Sequence, residues 1–161
     1  MNIDLFTQTD PRWKSDTMAT SEDNLNDYGC LVACYSNITI NYLKTPITPA
    51  LLNYLLILNK GYLGLAQKNC KKSETSFILH KVVGNILNCK INTEYKSNPE
   101  NKQNKYYIGK LVINKNLSHF VNILNFNPVN NEVLIFDVYD GKRKMINRNS
   151  VVKIIEVVFN Q

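Results

Sequence analysis

The chain has 161 residues, about the length of one domain, and can bury a sizeable core without disulfide or metal staples. Hydrophobic residues make up 44% and charged residues 20%, an ordinary balance for a soluble globular protein. The net charge of +6 is scattered, and its tightest runs, Lys71-Lys72 and Lys142-Arg143-Lys144, are too short for the basic stripe of a duplex binder.

A nucleic-acid partner is therefore not expected. The charge reads as a solvated basic surface with a mild attraction to anionic surfaces such as a bacterial cell wall. The opening Met1-Asn2-Ile3-Asp4-Leu5 lacks the basic and apolar regions of a secretory signal, so a cytoplasmic start is expected. Four cysteines (Cys30, Cys34, Cys70, Cys89) in such a chain read as free thiols.

In chain order, a polar, irregular lead-in contains Asp10-Pro11-Arg12-Trp13 and ends at the Asp27-Tyr28-Gly29 turn signal. From Cys30 the apolar residues Leu31, Cys34, Ile38 and Tyr42 recur at helical spacing, predicting an amphipathic helix to about Leu43. Thr48 offers an N-cap and Pro49 a first helical position for a second helix through Asn59, stopped by Gly61. Its apolar run, Leu51 to Leu58, is interrupted by Asn53 and is far too short to span a bilayer. Ser73 can cap a third helix with the face Ile78, Leu79, Val82, Val83 and Ile86.

After residue 88 the apolar period becomes that of strands. Lys90 to Tyr95, Tyr106 to Ile113, His119 to Phe126, Glu132 to Val138, Lys144 to Ile146 and Val151 to Phe159 read as strands, separated by Asn, Pro and Gly turns. Helices first and an antiparallel sheet second predict an α+β fold, one domain over residues 1–161.

Three residues could carry chemistry. Cys30 follows Gly29 and opens a helix, where unpaired backbone N–H groups and the positive helix end favour a thiolate. His119 begins an apolar strand, a position that can project into a cleft and still be held firmly. Asp137 ends the run Val133 to Phe136, so its carboxylate needs a partner, and an imidazole N–H would provide one. The rival acid, Asp140, belongs to the Asp140-Gly141 hairpin pair, which explains it structurally. The only other histidine, His80, reads as a surface residue beside Lys81, and Cys34 reads as core. Two distant histidines and no Cys-x-x-Cys pair leave no zinc spacing.

Together the pieces form a pattern: Gln8-x-Asp10-Pro11-Arg12-Trp13, Gly29-Cys30, Thr48-Pro49-x-x-Leu52-Asn53, His119-Phe120-Val121, then Asp137 with Gly141 behind it. The pattern resembles the bacteriocin-processing-type, papain-like cysteine peptidases, in particular their stand-alone bacterial and phage relatives. That resemblance implies a papain-like fold and a Cys30–His119–Asp137 triad, with Gln8 as oxyanion donor and no metal or organic cofactor. The implied reaction is hydrolysis of a peptide or amide bond, in a peptide, a protein or the peptides of bacterial peptidoglycan. A relative encoded by a phage would be virion-associated or released. The chain departs from the family in having Val32-Ala33-Cys34 where a small hydroxyl residue is common, and Asp137-Val138 where Asp-Pro is usual. The alternative is a binding or virion-associated module that keeps the fold without activity. The loops Tyr62 to Lys72 and Ser97 to Lys105 are expected to set specificity.

Overall fold

The computed structural model describes residues 5–19, 22–43, 45–67, 69, 71, 74, 76–100, 102–115 and 117–160. Among them five α-helices precede one six-stranded antiparallel sheet, an α+β arrangement. The helices are α1 (Leu25–Tyr28), α2 (Cys30–Tyr42), α3 (Pro49–Leu58), α4 (Leu63–Ala66) and α5 (His80–Leu87). The strands are β1 (Cys89–Tyr95), β2 (Lys105–Asn114), β3 (Leu117–Asn127), β4 (Glu132–Asp137), β5 (Lys142–Asn147) and β6 (Val151–Phe159).

Local chemistry sets several boundaries. The Thr48 hydroxyl accepts from the Leu51 N–H and Pro49 takes the first position of α3, as the sequence predicts. The predicted third helix begins later than expected. Ile78 pairs with Tyr62 in an isolated bridge, and the Leu79 N–H donates to the Gly61 carbonyl at 2.8 Å, so neither residue joins α5. The proposed Ser73 cap lies outside the described residues. Asn88, left-handed at φ 52°, closes α5 and turns the chain straight into β1.

Helix α2 differs from the amphipathic helix its spacing suggests, because every residue from Leu31 to Ile40 is buried. Three polar positions lie inside this stretch, and two have partners that make burial tolerable. The Asn37 amide bonds the backbone of Phe6 in both directions and also donates to Asn122 Oδ1 at 3.0 Å. The Thr39 hydroxyl donates to the Ser36 carbonyl and accepts from the Ile47 N–H. The helix is thus the centre of the domain. No helix among the described residues is long and apolar enough to cross a membrane.

The sheet runs β1-β6-β2-β3-β4-β5, with the C-terminal strand inserted between β1 and β2. One apolar cluster joins the sheet to the helices and includes Val32, Tyr35, Leu52, Ile108 and Phe136. A second cluster (Tyr107, Val121, Ile123, Val133, Ile135, Val151, Ile154) comes from strands and the residue that opens β6. Tyr95 of the β1 edge and Ile146 of the β5 edge both pack on it, so this second cluster extends across the sheet.

Candidate active site

The site begins where α1 runs directly into α2. The Asn24 side chain caps α1 by accepting from the Asp27 N–H, and the Gly29 N–H bonds the Leu25 carbonyl. A Cβ at Gly29 would collide with that carbonyl, so only glycine lets the two helices abut with Cys30 at the first position of the second. The sequence marked Gly29 as a turn and missed α1.

Cys30 is partly buried. Burial pushes its thiol pKa up; the backbone N–H groups of Phe120, Leu31 and Cys30 itself oppose the rise, and the Asp137 charge adds to it. This is the reverse of the lowering a helix N-terminus leads one to expect. The cause is the position of the sulfur between α2 and the Phe120 backbone of β3, away from bulk water. Cys34, fully buried one turn on, is pushed up well above the ordinary thiol value by burial. Cys30, Cys34 and Cys89 are free thiols, and Cys70 lies outside the described residues.

His119 and Asp137 come together directly, Nε2 to Oδ1 at 2.7 Å, both side chains mostly buried. An ionised carboxylate only accepts, so in the neutral ring Nε2 carries the proton and Nδ1 is the lone-pair nitrogen. Among the described residues no hydrogen bond is made to Nδ1 and none joins Cys30 to His119. Tyr139 lies edge-on to the imidazole, ring centres 6.5 Å apart.

Two strands hold the pair. His119 sits on β3 opposite Leu111 of β2, and Asp137 ends β4 opposite Lys142 of β5. Asp137 Oδ1 also accepts the Tyr139 N–H at 3.0 Å, and Oδ2 accepts the Lys144 ammonium at 2.8 Å. Burial alone would raise the Asp137 pKa, but the Lys144, His119 and Tyr139 hydrogen bonds together outweigh it and hold the carboxyl below its usual value. In the sequence Lys144 belongs to a basic run and opens a strand, and nothing there points to a role beside Asp137. Its i,i+4 partner Asp140 is also more than a turn residue: Oδ1 accepts the Lys142 N–H and Oδ2 pairs with Lys144 at 2.7 Å.

Gln8 reaches the same region from the N-terminal segment. Its backbone N–H donates to the Val138 carbonyl at 2.8 Å, and its buried side chain donates Nε2 to the Asn26 carbonyl at 2.6 Å. One Nε2 hydrogen remains, and Oε1 is buried without a partner among the described residues. The segment is fixed further by Trp13 Nε1 donating to the Thr7 carbonyl and by the Thr9 hydroxyl donating to the Tyr139 carbonyl. Gln8 is therefore tied to both the approach to Cys30 and the residue after Asp137.

His80 is not the surface histidine that its neighbour Lys81 suggests. It is half-buried at the start of α5, with Nδ1 2.6 Å from the hydroxyl of the fully buried Tyr35. Burial, then the nearby Lys153, lowers its pKa. Among the described residues no group of three or more His, Cys, Asp and Glu side chains could hold a metal ion.

The arrangement offers a thiol at a helix N-terminus, an imidazole oriented by a carboxylate, and a buried amide beside both segments. Compared with known proteins, the chain matches no family model and no curated protein sequence at significant similarity.

Proposed function

We propose that the chain is a papain-like cysteine peptidase of the bacteriocin-processing type, hydrolysing a peptide or amide bond through Cys30, His119 and Asp137. The observation that carries this reading is the 2.7 Å His119–Asp137 pair, set on the strand whose Phe120 N–H approaches the Cys30 sulfur. Three segments far apart in sequence supply a nucleophile, a base and an orienting acid, the division of labour that acyl transfer requires.

In this mechanism Nδ1 of His119 takes the thiol proton as the sulfur attacks the substrate carbonyl. The Cys30 N–H and the remaining Gln8 Nε2 hydrogen receive the oxyanion, each good donor contributing on the order of 3 kcal/mol. Protonated His119 then gives its proton to the leaving amine, stabilised by Asp137, and water hydrolyses the thioester by the reverse sequence. The basic surface favours peptidoglycan peptides within the substrate class.

The burial that pushes the Cys30 thiol pKa up favours a second reading, a non-catalytic binding or virion-associated module. A thiol-directed activity probe, mapped by peptide mass spectrometry, together with hydrolysis of a peptide library and of purified peptidoglycan, separates the two. Probe on Cys30 and cleavage lost in Cys30→Ala support the peptidase. No cleavage by the wild type, with equal binding of a peptidoglycan partner by Cys30→Ala, supports the module.

A further inference from the structure

We propose that Lys144 is a positioning residue for the Asp137–His119 pair: it holds one oxygen of Asp137 so that the other is presented to the imidazole, and Asp140 holds Lys144 in turn. The four groups form an unbroken series of hydrogen-bonded acids and bases. Asp140 Oδ2 lies 2.7 Å from the Lys144 ammonium, which lies 2.8 Å from Asp137 Oδ2, while Asp137 Oδ1 lies 2.7 Å from His119 Nε2. The proposal deepens the peptidase reading and rests on it for its kinetic consequence alone.

A terminal carboxylate swings easily about its Cβ–Cγ bond, and a rotation of Asp137 would take Oδ1 out of line with Nε2. Three contacts oppose that rotation: the Tyr139 N–H and His119 on Oδ1, and Lys144 on Oδ2. Lys144 supplies the only one of the three described contacts that carries a permanent positive charge, and its ammonium is held by two acids, Asp137 and Asp140. The groups that share this field are His119 from β3, Lys144 from β5, Asp140 from the turn between β4 and β5, and Cys30 from α2, whose thiol senses the Asp137 charge. Lys144 also keeps Asp137 ionised, so the imidazole meets an acceptor and not a carboxylic acid.

The test is nuclear magnetic resonance on the full chain, following the Asp137 carboxyl carbon through a pH titration and the two ring nitrogens of His119 for its tautomer. The chain has only two histidines, so His80, bonded to Tyr35, is the internal control. Lys144→Met should raise the Asp137 titration midpoint by about one pH unit, a tenfold change in proton affinity, and should mix the His119 tautomers. Lys144→Arg should restore both. Asp140→Asn, which removes one of the two acids that hold the Lys144 ammonium, should mix the His119 tautomers in the same sense as Lys144→Met and to a smaller extent. An Asp137 midpoint and a His119 tautomer unchanged in Lys144→Met, or a His119 tautomer unaltered in Asp140→Asn, overturn the proposal. Absence of any hydrolysis alongside the expected titration shifts would sink the peptidase reading and leave the Lys144 pairing intact.

Discussion

Asn122 donates its Nδ2 to the Cys34 carbonyl at 2.9 Å, so the strand that carries His119 grips the helix that Cys30 opens. The contact falls three residues beyond His119 and one helical turn beyond Cys30, and Asn37 closes it by donating to Asn122 Oδ1 at 3.0 Å. Both asparagines are buried, so neither finds water if its partner is removed. Asn122→Ala should cost roughly 2–4 kcal/mol, the sum of the lost bonds and the orphaned Asn37 and Cys34 groups. Urea unfolding measures the cost. If hydrolysis is present, its rate in the surviving folded fraction should also drop, because this clamp sets the distance between thiol and imidazole. A loss below about 0.5 kcal/mol would mean that packing alone aligns the two elements.

Gln8 separates an oxyanion role from a structural one. Its main-chain bond to Val138 survives any side-chain substitution, whereas the Nε2 bond to Asn26 does not. Gln8→Ala should therefore lower kcat/KM by roughly 10²–10³ while probe labelling of Cys30 persists. Gln8→Glu tests the sign, since a carboxylate there repels a developing oxyanion and should be no better than alanine. Loss of labelling together with loss of turnover would instead show that the Asn26 bond holds the approach to Cys30 in place.

Much of the fold was legible because periodicity is local. The six strands begin and end within a few residues of their predicted limits, and Thr48-Pro49 starts α3 as its capping chemistry requires. The His119–Asp137 pairing was legible because a carboxylate at the end of an apolar run needs a donor, and the chain offers few. What stayed hidden depends on distant partners. The burial of α2 on all sides rests on Phe6, Ile47 and Asn122, and no periodicity within the helix announces them. Lys144 looked like one of three basic residues in a row; only the hairpin geometry carries it to Asp137. His80 looked exposed because its sequence neighbour is charged, whereas its ring meets a tyrosine from the central helix. The Cys30 pKa direction was misjudged for the same reason, since helix position is local and burial is not.

Thiol reactivity should depart from the order of burial. Iodoacetamide should modify Cys30 first, because His119 can take its proton as the sulfur reacts, then Cys89, whose pKa burial pushes up to about 11, and the fully buried Cys34 last. Labelling of Cys30 should climb with pH across the neutral range without a plateau, because the thiolate is disfavoured in the resting site. His119→Ala should slow Cys30 labelling at pH 7 while leaving Cys89 unchanged. Peptide mapping at several pH values checks the order. A flat Cys30 profile from pH 6 to 9 would indicate a preformed thiolate–imidazolium pair instead.

Acid stability offers a separate check on Asp137. Its folded-state pKa is depressed, so the stability it contributes is fully present above the unfolded value of about 3.9 and is lost as pH falls through the folded value. Asp137→Asn should cost roughly 1–3 kcal/mol at pH 7 through the weakened Lys144 and His119 bonds. That deficit should shrink below pH 4, as the wild-type carboxyl itself takes up a proton. Urea midpoints at pH 7, 4 and 2 measure the convergence; parallel curves would mean that the carboxyl titrates alike in both states.

The roles of the triad members should be unequal. Cys30→Ala removes the atom that bonds to substrate and should reduce turnover to the uncatalysed background, with binding retained. Asp137→Asn keeps a hydrogen-bonding side chain in place but presents an amide to Nε2. An amide turned to donate would force the other tautomer, leaving Nδ1 protonated and unable to take the thiol proton. An amide turned to accept would preserve the tautomer and lose only the charge. Lys144, which must face an acceptor, favours the amide oxygen toward itself and so the amide nitrogen toward His119. The expected loss is therefore at the large end, roughly 10²–10⁴ in kcat/KM, yet above the Cys30→Ala background. Asp137→Asn combined with Lys144→Met frees the amide to turn its oxygen to Nε2 and should recover part of that loss. Steady-state kinetics on one cleaved peptide from the library measures all three variants. A double variant no faster than Asp137→Asn would show that charge on Asp137, and not the tautomer it selects, is what His119 requires.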